Sequence, residues 1–216
     1  MTPLRTLPWI IAAAACAAPP PVPFGEGAGL LDADATPPED AVLWDRPEWR
    51  VGDTFTLVRG ELLRAEFTVA AVDDDGYFVR GPGGVRLRRD RDLGNLGEWH
   101  PTDDVPTHLL SPADVRFHWP LWVGKRWSCE YVDGAAGSPP LRTVASYEVE
   151  ALDTVTVGAG TFEALRIART LRLPDLPDSV LTRTQLIWYA PSIGAEVRQI
   201  VADTEVELVE FVRDAP

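Results

Sequence analysis

Residues 143–171 read TVASYEVEALDTVTVGAGTFEALRIARTL, and this stretch decides the fold class. Apolar and polar residues alternate on both sides of a Gly-Ala-Gly sequence at 158–160. Alternation with a period of two is typical of a β-strand that buries one face, and glycines between two such runs are typical of a tight turn. The stretch therefore predicts two antiparallel strands joined as a hairpin.

The same pattern recurs along most of the chain. Further alternating runs lie at residues 49–60, 65–72, 122–134, 185–190, 195–200 and 205–212. The sequence DDDG at 73–76 predicts a turn into residues 77–80. Only Ser111–Pro112, a capping residue followed by proline, indicates a short helix. We therefore predict an all-β fold, either an antiparallel sandwich or a curved half-barrel sheet.

The N-terminal residues predict export. Arg5 precedes an apolar run at 7–15 that is too short to span a bilayer and is followed by small residues, which is the layout of a secretory signal peptide. Repeated prolines then predict an extended, disordered tether. We predict a signal peptide at 1–15, a Pro-rich tether at 16–47 and a β-rich domain at 48–216.

Cys16 directly follows four alanines, and this resembles the signal of bacterial lipoproteins, in which the cysteine becomes the lipidated first residue. Ala13 stands where such signals usually have leucine, so cleavage at an Ala-x-Ala site without lipidation is the alternative. Several acyl chains on Cys16 would hold the domain at a membrane. We expect a protein of the cell envelope that is anchored through Cys16 and faces the periplasm or the exterior. By the same resemblance Ala17 favours the outer membrane, because lipoproteins retained at the inner membrane usually have Asp after the cysteine.

Two segments of the chain are similar to each other. Val51-Gly52-x-x-Phe55 and Val123-Gly124-x-x-Trp127 each begin an alternating run. The repetition indicates two similar halves, at 48–90 and 119–213, joined by a loop-rich segment at 91–118. The alternative is that a Val-Gly turn followed by an aromatic residue is simply a common way to start a strand.

Composition and missing motifs exclude several functions. The chain has 33 acidic and 20 basic residues and a formal charge of -13, which disfavours binding to nucleic acid. It contains no nucleophile elbow, phosphate-binding loop, His-Glu-x-x-His or paired Cys-x-x-Cys sequence, so we assign no catalytic residue, metal or cofactor. By strand alternation Cys129 shares an apolar face with Trp127, which predicts a buried, unreactive thiol.

The three histidines, His100, His108 and His118, are the residues from which a metal or acid–base site could be built. Their spacings of eight and ten residues, in a segment interrupted by prolines, give no register for such a site. We interpret them as solvated loop residues and keep a metal-dependent enzyme as a third hypothesis.

Tryptophan is the residue type that most suggests function, with eight in the chain. Aromatic rings can line a groove for a lipid, glycan or apolar peptide, and they can equally fill the core of a β-rich domain. The candidates for a ligand-binding face are Trp119, Trp122, Trp127, Trp188 and Tyr189.

The C-terminal half resembles exported bacterial β-rich lipoproteins of uncharacterised function. In those proteins a hairpin with the pattern GTFxAxxI precedes one with the pattern WYAPxxGxV, often after a PLxVGKxW strand. Here the corresponding sequences are GTFEALRI at 160–167, WYAPSIGAEV at 188–197, in which the valine lies one position later than in the pattern, and PLWVGKRW at 120–127. The resemblance covers about residues 120–213. It implies a curved antiparallel sheet in the cell envelope, loosely like the half-barrels of lipoprotein carriers, and no catalytic residues.

These observations favour a non-enzymatic cell-envelope lipoprotein. Its partners would be the membrane, through lipidated Cys16, and an apolar or lipid-like small molecule held on an aromatic-lined sheet. The alternative is a scaffold or accessory subunit of an envelope protein complex, which would use a sheet edge or residues 90–118 as its contact.

Overall fold

The computed structural model describes residues 25–60, 63–135, 137–176 and 183–213. The signal peptide and Cys16 lie outside these ranges. The strands of the described residues are β1 (Gly29–Ala33), β2 (Thr54–Arg59), β3 (Leu63–Asp73), β4 (Gly76–Arg80), β5 (Arg86–Asp90), β6 (Asn95–Trp99), β7 (His108–Asp114), β8 (Arg126–Ala135), β9 (Leu141–Val157), β10 (Gly160–Arg172), β11 (Arg183–Ala190), β12 (Ala195–Val201) and β13 (Thr204–Val212). In this described part, no helix is long and apolar enough to cross a bilayer.

The strands form one antiparallel sheet that closes on itself. Consecutive strands pair with each other from β2 to β7, and again from β8 to β13. The pairings of β7 with β8 and of β13 with β2 join the two sets into a ring of twelve strands. The predicted all-β, antiparallel, curved sheet is confirmed, and the curvature is complete enough to make the sheet barrel-like.

The core lies inside this closed sheet because the strands alternate as the sequence predicts. On β8, Trp127, Cys129 and Tyr131 are buried, whereas the residues between them are half-buried. The hairpin predicted around residues 158–160 joins β9 to β10, with Val157 opposite Gly160. Burying an apolar side chain of medium size contributes about 1.5–3 kcal/mol, so the inward positions dominate the stability of the sheet.

The tether predicted over residues 16–47 is wrong for its C-terminal part. β1 pairs with β8, with Leu30 opposite Cys129, and Trp44 exchanges backbone hydrogen bonds with Leu121 at 2.8 and 2.9 Å. The sequence of β1 is short and is surrounded by prolines and acids, so no alternating pattern marks it. It forms a strand because β7 pairs with only one end of β8, which leaves the other end of the same edge available.

The segment at 91–118 is not the loop-rich connection that the sequence predicts, because it contains β6 and β7. The predicted helix at Ser111–Pro112 is also wrong, since both residues lie in β7. The pairing of β7 with β8 ends at Ser111, opposite Val132. Proline is tolerated at the next position because Pro112, which has no backbone N–H, does not need to donate a hydrogen bond to β8. With β6 and β7 included, each half of the chain contributes six strands to the ring.

Candidate functional site

A pocket of about 150 Å³, partly open to solvent, lies inside the closed sheet. Its walls come from β2 to β5, from β11 and β12, from the turn after β5, and from the segments that precede β2 and β8. Its apolar lining includes Phe55, Leu57, Phe67, Val79, Leu87 and Phe117. An engineered dry cavity of about this volume binds benzene, so the pocket has room for one ring or a short alkyl segment.

Aromatic rings form one wall of the pocket. The Trp49 ring centroid lies 4.9 Å from that of Phe55 and 5.4 Å from that of Tyr77. Trp49 Nε1 donates a hydrogen bond to the Gly194 carbonyl at 2.8 Å, which fixes the indole although Trp49 precedes the first strand of the ring. Phe117, which also lines the pocket, packs on Tyr189 with 5.1 Å between ring centroids. The wall is therefore held by contacts between distant parts of the chain.

Three polar side chains, Arg89, Glu196 and Gln199, interrupt the apolar lining. Arg116 donates through Nε and Nη2 to the two carboxylate oxygens of Glu196, with 2.8 Å between Nη2 and Oε2, and Gln199 donates to Oε2. Burial opposes ionisation of Glu196, but the Arg116 guanidinium holds the pKa of this carboxyl below its ordinary value. Glu196 is thus a charged group whose acceptors are already engaged.

Arg89 differs from Glu196 in its surroundings. Its Nη1 donates to the Leu93 carbonyl at 3.1 Å, and its Cζ lies 5.6 Å from the Trp49 ring centroid. Burial lowers the pKa of Arg89, although Glu196 partly opposes this effect. The half-buried guanidinium lines the pocket and offers N–H donors beyond the one that Leu93 uses.

The interior beside the pocket, between β7 and β11, is filled by a hydrogen-bonded network around Asp114. Arg169 Nη2 donates to Asp114 Oδ2 at 2.6 Å and to Tyr131 Oη at 2.9 Å. Arg169 Nε donates to Tyr147 Oη at 2.8 Å, and this hydroxyl donates in turn to Asp114 Oδ1. Burial raises the pKa of Tyr131 and of Tyr147, so both hydroxyls stay protonated and available as donors.

The five aromatic residues suggested by the sequence do not share one surface. Tyr189 lines the pocket, and Trp119 lies beside it with 5.4 Å between ring centroids. Trp127 stacks on Tyr147 at 4.9 Å, away from the pocket lining. Trp188 donates from Nε1 to Asp153 at 3.0 Å and pairs across strands with Arg166 and Arg198.

The fifth aromatic residue, Trp122, lies under the amine of Lys125, whose Nζ is 4.2 Å from the ring centroid. Sequence reasoning missed the pocket residues Trp49, Phe117, Arg89 and Glu196. Trp49 is the first residue of a predicted run, although the strand itself begins at Thr54, and Phe117 lies just outside a predicted strand. Charged residues inside a sheet contradict the alternation that predicts the core. The one available signal was the sequence VRLRR at 85–89, in which Arg89 would share a strand face with Leu87.

The histidines do not come together. The interpretation of His108 as a loop residue is wrong, because it lies on β7 with its Nε2 2.5 Å from Asp133 Oδ1. The hydrogen bond to Asp133 raises the pKa of His108. Desolvation lowers the pKa of His118, which lies in the segment before β8. Within the described ranges, no three His, Cys, Asp or Glu side chains are grouped so as to hold a metal ion.

Comparisons with known proteins identify the fold. No protein-family model matches the chain, and no curated protein matches it. A similar structure is that of the hypothetical lipoprotein YmcC from Escherichia coli K12, with a TM-score of 0.50 and 10% sequence identity over 80% of this chain and 93% of that chain. Another is a "putative lipoprotein" from Parabacteroides distasonis, with a TM-score of 0.46 and 13% identity over 79% of this chain and 99% of that chain.

The chain is therefore an all-β protein with the fold of YmcC, and at 10% identity that likeness concerns the fold alone. The fold expected from the resemblance at 120–213 agrees with it.

Proposed function

We propose that this protein is a non-enzymatic lipoprotein of the cell envelope, exported and anchored through lipidated Cys16, whose closed sheet binds an apolar or lipid-like ligand. The observation that carries the binding part is the aromatic-lined pocket inside the sheet. Such pockets, mostly apolar with a few polar groups, are the usual sites for small molecules.

The difference in packing between two parts of the interior supports this proposal. Around Cys129 the inside of the sheet is filled, with Trp127 stacked on Tyr147 at an interplanar angle of 6°. Protein interiors pack densely, and an unfilled cavity costs stability because its lining loses contacts. The space bounded by Trp49 and Phe117 therefore differs from the filled part of the interior. An apolar ligand in this space would restore the contacts that its lining side chains lack.

The anchoring part is supported by the sequence. An apolar run precedes Cys16, and prolines follow it. The fold adds support because YmcC is described as a hypothetical lipoprotein. A lipid-anchored protein with an interior pocket would present that pocket close to a supply of acyl chains.

Ligand binding is tested with the full chain carrying Cys16→Ser, titrated with decanol by isothermal calorimetry. We expect saturable binding that Leu87→Trp weakens, because Leu87 lines the pocket and a larger ring there would fill it. Leu152→Trp is the matched control, since Leu152 is exposed and is not part of the pocket lining. Equal binding by both variants, or no binding by the parent, would contradict the proposal.

Anchoring is tested by metabolic labelling with palmitate and by fractionation of cells. We expect the wild-type protein to carry label in the membrane fraction, and Cys16→Ser to lose both the label and the membrane association. Cys129→Ser is the matched control because it removes the other cysteine and leaves the signal intact. Membrane association of unlabelled Cys16→Ser protein would show that Cys16 is not the anchor.

A further inference from the structure

The charged side chains around the pocket do not balance. Two buried carboxylates each have their own arginine: Asp114 pairs with Arg169 at 2.6 Å, and Glu196 pairs with Arg116. Among the described residues that line or adjoin the pocket, Arg89 is a third arginine, and no ion pair joins it to a carboxylate there. The charge of Glu196 favours the charged form of Arg89 but makes no ion pair with it. A half-buried guanidinium without an ion-pair partner is costly, so an anion from elsewhere would stabilise it.

The other acidic groups close to Arg89 in the chain are engaged. Asp90 accepts a hydrogen bond from the Gly94 N–H, and burial raises the pKa of this carboxyl, which weakens it as a counter-ion. Asp92 is exposed and pairs with Arg46, with 3.4 Å between Nη1 and Oδ1. The guanidinium of Arg89 instead faces a space bounded by apolar side chains.

We propose that Arg89 binds the anionic head of an amphipathic ligand whose apolar part fills the pocket. The inference rests on the proposed function and specifies its ligand class: an alkyl or aryl oxyacid, such as a carboxylate or a phosphate monoester. A planar guanidinium presents parallel N–H donors that match two oxygens of either group. The Trp49 and Phe117 rings and the aliphatic lining accept the apolar part, and the partly open side leaves room for a longer chain to extend to solvent.

The test compares three ligands that share one alkyl chain: decanol, decanoate and decyl phosphate. Each is titrated by calorimetry into the full chain carrying Cys16→Ser. We expect decanoate or decyl phosphate to bind about tenfold or more tightly than decanol, since a hydrogen bond between charged groups commonly contributes that much. The tighter of the two anions identifies the head group. Equal affinity for all three would overturn the role of Arg89 and leave apolar binding standing, whereas binding of none would overturn the proposed function itself.

Substitution of Arg89 separates its role from that of the pocket as a whole. Arg89→Gln should weaken binding of the preferred anion by about tenfold or more and leave decanol unchanged. Arg89→Lys should restore part of the difference, because it keeps the charge without the planar donors. Arg88→Gln is the matched control: Arg88 is the preceding residue on β5, but it pairs with Asp73 at 2.7 Å and lies over the exposed Phe78 on the outer face. Loss of anion binding in Arg88→Gln as well, or retention in Arg89→Gln, would refute the assignment.

Discussion

Gly52 and Gly124 adopt the same left-handed backbone conformation, with φ of +96° and +95°. Gly52 N donates to the carbonyl of Val69 at 2.9 Å, and Gly124 N donates to that of Val149 at 2.7 Å. In both places the residue after the glycine accepts the N–H of the same valine at 2.9 Å. The turns that precede β2 and β8 therefore have the same backbone geometry, and the two similar halves suggested by the sequence stay a prediction.

Gly124→Ala tests this turn. A Cβ at Gly124 would meet no atom within 4 Å, so the substitution changes backbone strain without a clash. Because side chains with a Cβ disfavour the left-handed region, we expect the free energy of unfolding to fall by about 1–2 kcal/mol in urea denaturation. Val123→Ala, at a neighbouring exposed position, should change it by about 0.5 kcal/mol or less. Unchanged stability in Gly124→Ala would mean that the turn is not held in this conformation.

The sequence predicts the regular strands well and the irregular ones poorly. β9 and β10 alternate over their whole length and flank glycines, so both the strands and their hairpin could be read directly. β6 and β7 could not, because β6 is half-buried throughout and the buried residues of β7 come in adjacent pairs, so neither strand alternates clearly. β1 was missed for a different reason. It forms only because it pairs with the free edge of β8, which is distant in sequence, and the residues around β1 do not indicate that pairing.

The candidate site was harder to predict than the fold. Its charged pairs join residues far apart in sequence, with 80 positions between Arg116 and Glu196 and 55 between Asp114 and Arg169. Each member alone resembles an ordinary polar residue of a strand or a loop, and only the closed ring brings the partners together. Tyr189 was found because it belongs to a conspicuous aromatic pair, whereas Trp49 lies before the first strand of the ring.

Cys129 should be unreactive in the folded protein. It is fully buried, and burial raises the pKa of its thiol to about 12, with the nearby Asp114 carboxylate adding to the effect. Since the thiolate is the nucleophile, we expect no alkylation by iodoacetamide at pH 8 over hours in the Cys16→Ser protein, and complete alkylation in 6 M guanidinium chloride. Mass spectrometry measures both, and rapid modification under native conditions would contradict the buried position.

The Asp114–Arg169 pair should be essential for stability. Removing one partner leaves the other charge buried without compensation, so Asp114→Asn and Arg169→Met should each lower the free energy of unfolding by about 3–5 kcal/mol. Their combined effect should be smaller than the sum, because both remove the same interaction. Arg166→Met is the control: it lies on the same strand but pairs with Asp153 at a partly exposed site, and should cost about 1 kcal/mol or less. Additive losses would show that the two residues are not coupled.

Lys125 should make stability depend on pH above neutrality. The side chain is 1% exposed, Nζ donates to the Pro120 carbonyl at 2.7 Å, and burial lowers the pKa of Lys125 from 10.5 to about 8. Below pH 8 the amine is charged in both states, and the folded state bears the full cost of burying it. Between pH 8 and 10.5 the folded protein loses the proton while the unfolded chain retains it, so this cost disappears as pH rises.

Relative to Lys125→Met, the wild-type protein should therefore gain on the order of 2 kcal/mol in free energy of unfolding between pH 7 and 10.5, measured by urea denaturation at several pH values. Taking the difference between the two proteins removes the contribution of the buried tyrosines, which titrate in both. Arg126→Met, at the adjacent exposed position, should differ from the wild type by the same amount at every pH. A difference between wild type and Lys125→Met that stays constant from pH 7 to 10.5 would show that the buried amine keeps an ordinary pKa, because only a group whose pKa differs between the folded and unfolded states can make stability depend on pH.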